Sequence, residues 1–68
     1  MNEFVKFWLI DLYEKAIEET KKSIENNRIF ILGATTKEEQ NMFIQNERDM
    51  QEYIKVLAEL KNTFEEEL

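Results

Sequence analysis

The chain has 68 residues with one glycine, no proline, no cysteine and no histidine. It therefore reads as one small domain, 1–68, with neither a disulfide framework nor the usual zinc ligands. Hydrophobic residues make up 43% and charged residues 35%, which is too apolar for a disordered chain. A net charge of −6 disfavours direct contact with nucleic acid or anionic lipid, because both need a positive field; protein surfaces that are basic or apolar suit it better.

The first stretch, FVKFWLIDL, is apolar but lacks a basic leader, is interrupted by Lys6 and Asp11, and is too short to span a bilayer. It reads as the start of the fold. From there Ile10, Ile17, Ile24 and Ile31 recur every seventh residue while Tyr13, Thr20 and Asn27 fill the partner position, the pattern of a seam on a helix over about 2–32. The β-branched and aromatic run RIFIL, residues 28–32, has no second strand to pair with and reads as the helix end.

Gly33 stands where a left-handed residue commonly closes a helix. Thr36 followed by Glu39 matches a capping box, with Thr35 and Glu38 the same pattern one register earlier, so a second helix is expected over about 36–67. On it Phe43, Met50, Leu57 and Phe64 alternate with Asn46, Tyr53 and Leu60, forming the facing seam. The expected fold is all-α, an antiparallel two-helix hairpin. Folding back at the glycine sets Ile24 against Phe43 and Ile44, and Ile10 against Leu57 and Leu60. Asn46 then comes near Ser23 and Thr20. Either these form a polar layer that fixes register, or Asn46 and Asn27 lie at the seam's edge in water.

One partner helix does not cover the apolar arc of the first helix, where Val5, Trp8, Leu9, Leu12 and Ala16 flank the seam. Ile44, Ile54, Val56 and Ala58 likewise fall off the seam of the second. A second copy is the simplest cover, giving a homodimeric four-helix bundle with self-association expected through Val5, Leu9, Leu12, Ala16, Ile44 and Ile54. Phe4 and Phe7 lie outside even this arc and either pack at the bundle's end or serve for docking.

Chemistry finds little to use. Histidine and cysteine are missing, Ser23 is the only serine and has no base a turn away, no glycine-rich loop exists to cradle a phosphate, and the Glu-x-x-His pairs of di-iron bundles cannot be made. No catalytic, cofactor or metal site is expected. Adjacent acids such as Glu18 and Glu19, or Glu38 and Glu39, point about 100° apart and do not converge on one ion. Asp11 with Lys15 and Glu18 with Lys22 are spaced as surface ion pairs. Glu65 to Glu67, against the negative end of a helix dipole, form either a loose tail or an acidic patch for a basic partner.

The size and plan resemble those of small dimeric helical hairpins such as the plasmid RNA-binding regulators, but no residue motif carries the likeness and the acidic chain lacks their basic face. The Ser-x-Glu-Leu-Asp signature of sporulation aspartyl-phosphatase hairpins is also absent, the corresponding region reading QNERDMQEY. The expected function is that of a small non-catalytic protein–protein interaction module in the cytoplasm: an adaptor, regulator or inhibitor of the size of a phage or mobile-element accessory protein. Its partner-binding surface would combine Phe4, Phe7 and Trp8 with the carboxylates Glu47, Asp49, Glu52 and Glu59. The alternative is an acidic nucleic-acid mimic that occupies the basic cleft of a host DNA- or RNA-binding enzyme.

Overall fold

The computed structural model describes residues 2–66 and forms them into two helices, α1 (Glu3–Gly33) and α2 (Lys37–Glu66). Asn2 opens α1 in extended conformation, and its side-chain oxygen accepts from the Phe4 amide at 2.8 Å. The helix runs unbroken through Ile29–Leu32, whose β-branched side chains find no strand to join. It ends without a left-handed residue. Gly33 is the last helical residue, no glycine has positive φ, and the cap is Ala34 at φ −64 and ψ 131. The expected glycine cap is thus corrected: the chain leaves the helix by an extended residue, which any side chain tolerates.

The start of α2 forms one half of the expected capping box, with the return bond shifted by one residue to Thr35. Thr36 Oγ1 accepts from the Glu39 amide at 3.1 Å, and the Glu39 carboxylate reaches back to the amide and hydroxyl of Thr35, both at 3.3 Å. Glu38 and Glu39 also place negative charge on the positive end of the helix. With only Ala34, Thr35 and Thr36 between them, the helices lie antiparallel in a rod of 51 × 14 × 11 Å. Its radius of gyration is 15.7 Å, against roughly 11 Å for a compact domain of this length.

The seam of α1 is as its heptads require: Ile10, Ile24 and Asn27 are buried, while Tyr13, Ile17, Thr20 and Ile31 are half-buried. On α2 one row is as expected, with Leu57 buried and Phe43, Met50 and Phe64 half-buried. The second row is not. Asn46, Tyr53 and Leu60 are exposed, and Glu47, Ile54 and Lys61 turn toward α1 instead. Polar contacts join the helices here. Arg28 Nε holds Glu47 at 2.8 Å and Glu14 holds Lys61 at 3.2 Å, each across the two helices. Asn27 donates its amide to the main-chain carbonyl of Phe43 at 2.6 Å. Together these contacts accompany a facing row on α2 that is part of a turn away from the expected one.

Contacts between the helices also fall further along α2 than simple fold-back arithmetic places them. Tyr13 stacks on Phe64 with centroids 5.8 Å apart, and Phe30 on Phe43 at 5.6 Å. Side chains on a helix lean toward its own N-terminus, so in an antiparallel pair a residue of α1 meets one beyond its backbone opposite.

Candidate interaction surface

The two long sides of the hairpin differ. One side carries the interhelical ion pairs Arg28–Glu47 and Glu14–Lys61, together with a shallow groove lined by Lys21, Ile24, Glu25, Arg28 and Gln51. The Lys61 side chain is 25% exposed and also pairs with Glu65 at 3.3 Å. Hydrogen bonds, first to Glu14 and then to Glu65, hold its ammonium above the ordinary lysine pKa against a smaller desolvation penalty. Asp11, 2.8 Å from Lys15, raises that lysine in the same way.

The opposite side has no such lacing among the described residues. A groove of ≈ 430 Å³ there is lined by Ser23, Asn26, Phe30, Asn46, Asp49 and Met50, with Asn27 at its floor. Heptad spacing extends this side toward the other end of the rod. On α1 the row holding Phe30 and Ser23 continues to Ala16 and Leu9, and the row holding Asn26 continues through Glu19 to Leu12 and Val5. On α2 the row of Asn46 continues to Tyr53 and Leu60, and that of Asp49 runs from Met42 to Val56. Twelve large hydrophobic side chains are exposed among the described residues, and seven of them (Val5, Leu12, Phe30, Met42, Tyr53, Val56, Leu60) lie in these rows. Only three apolar side chains among the described residues are buried: Ile10, Ile24 and Leu57.

The residues expected to mediate self-association divide between two places. Val5, Leu9, Leu12 and Ala16 share the open side, whereas Ile44 and Ile54 are half-buried on α2, Ile54 toward α1 and Ile44 toward the laced side. Leu60 takes the position across from Leu12, with Val56 and Tyr53 about one and two turns nearer the hairpin turn. The heptads place Tyr53 and Leu60 in the hairpin seam, but both are exposed in the structure. Among the residues expected to bind a partner, Phe4, Phe7 and Trp8 are exposed, with Trp8 70% accessible at the rim of the open side. The four carboxylates do not form one face. Glu47, whose side chain is 22% exposed, points into the laced side against Arg28. Asp49 lines the open groove and accepts from Gln45 at 3.0 Å. Glu52 and Glu59 lie on the back of α2, among Arg48 and Lys55. Glu67, the last of the expected acidic cluster, is outside the described residues.

Among the described residues no three side chains are grouped to hold a metal ion, and no helix is long and apolar enough to cross a membrane. No family model, curated protein or solved structure matches the chain.

Proposed function

We propose that the chain is a small non-catalytic protein–protein interaction module of the cytoplasm, an adaptor, regulator or inhibitor that works as a self-associating helical hairpin. One observation carries this reading: the hairpin leaves more large apolar side chains in water than it buries, twelve against three among the described residues. A compact monomer of 8.3 kDa would expose about 4,600 Å², whereas this chain exposes 5426 Å². The surplus, roughly 800 Å², is the area each partner contributes to a standard protein interface.

Sedimentation of the purified chain tests the proposal. A reversible dimer is expected; a fully helical species of 8.3 kDa at all concentrations would overturn it. The nucleic-acid mimic has less support, since it needs carboxylates ranked along one face. Here Glu47 is neutralised by Arg28, and Glu52 and Glu59 share their face with Arg48 and Lys55.

A further inference from the structure

Resting on the self-association reading, we infer that a second copy of this chain docks on the open side with both turns at the same end of the bundle. The argument is one of matching levels. Along the open side the surface changes character twice: apolar around Val5, Leu12, Val56 and Leu60, polar from Glu19 and the Tyr53 hydroxyl through Ser23, Asn26, Asn46 and Asp49, and apolar again at Phe30 and Met42. A two-fold axis parallel to the rod lays α1 of one copy beside α2 of the other at equal height. Judged by the levels of Tyr13–Phe64 and Glu14–Lys61, Leu12 then meets Leu60 and Ala16 meets Val56 of the second copy, Glu19 comes level with Tyr53, whose hydroxyl can donate to its carboxylate, and Phe30 meets Met42, a favourable sulfur–aromatic pair.

The polar levels match as well. Among the described residues the side chains of Asn26 and Asn46 have no partner within their own chain. Asn26 of one copy would come to the level of Asn46 and Asp49 of the other, where its amide can donate to the Asp49 carboxylate. The other two-fold arrangement, with turns at opposite ends, slides this polar band over the apolar end of the second copy, burying amides and a carboxylate without partners. The laced side is a poor competitor, because docking there would desolvate the exposed guanidinium of Arg28.

The test uses the full chain, whose lack of cysteine allows a single nitroxide label at Thr35→Cys. Pulsed electron resonance should give a label separation below about 25 Å, since packed helices lie 8–10 Å apart. A separation near the rod's 51 Å length would overturn the arrangement while leaving self-association intact. Val56→Glu should raise the dimer dissociation constant at least about tenfold by burying an unpaired charge, whereas Leu32→Glu, at an 88% exposed position off this side, should leave it unchanged. The reverse pattern would place the interface elsewhere. Leu12→Lys provides the same test from α1 should Val56→Glu lose helicity. A folded monomer for the parent chain would overturn both this inference and the self-association reading.

Discussion

Asn27 is the polar residue on which the hairpin's alignment turns. It is 6% exposed, and its amide meets the Phe43 carbonyl at 2.6 Å. A main-chain carbonyl has a second lone pair free beyond its own helical bond, so this contact adds to α2 without unwinding it. Asn27→Ala removes the donor and opens space at the groove floor; a loss of about 1–3 kcal/mol is expected in urea unfolding. An unchanged midpoint would show the contact to be dispensable. Gly33 makes the opposite case. It is helical with negative φ, and a Cβ built there meets nothing within 4 Å. Gly33→Ala should therefore stabilise by about 0.4–1 kcal/mol, chiefly by restricting the unfolded chain. Spacing alone puts Asn27 on the seam side of α1 but leaves open whether it is buried or at the edge in water, and it does not give the partner, because side-chain patterns carry no mark for a main-chain acceptor. Gly33 marked the right end of the helix for the wrong reason.

At the level of the helices, boundaries and direction were legible, since caps are local. Thr36 and Glu39 announce α2 by themselves, and Thr36→Ala should cost about 0.5–2 kcal/mol of stability, read by thermal melting. The facing row of α2 was not legible. Asn46–Tyr53–Leu60 and Glu47–Ile54–Lys61 are adjacent rows, and hydrophobicity favours the first; the cross-helix partners Arg28 and Glu14 favour the second. Lys61 gives this selection a pH signature. Its folded pKa is raised, so its contribution is complete below the unfolded lysine value of about 10.4 and is lost as pH rises past the folded one. The stability gap between the parent and Lys61→Gln should stay constant at pH values well below the unfolded lysine value of about 10.4 and close as pH rises past the raised folded one. A gap that persists in strong alkali would mean that Lys61 acts through its aliphatic stem alone.

For the whole molecule, the proportions decide more than any single contact. A rod 51 Å long and 11 Å thin has hardly any interior, and the surface it exposes beyond that of a compact monomer, roughly 800 Å², equals one partner's share of an interface of ordinary size. Stability should then depend on the amount of protein: the melting midpoint should climb as concentration rises from about 1 to 100 µM, and a constant midpoint would count against association. That α1 carries more apolar surface than α2 covers could be read from the width of its apolar arc. Which part of α2 completes the surface could not, because the heptads place Tyr53 and Leu60 in the seam and both are exposed.

Trp8 turns this geometry into a signal. It is the sole tryptophan, stands 70% in water within the folded hairpin, and sits at the rim of the open side. Opening a lone hairpin would hardly change its surroundings, so its emission should stay red through denaturation. Anything that settles over the first turns of α1 should shift it to the blue. The chain thus carries its own dye, nearly blind to unfolding and responsive to company.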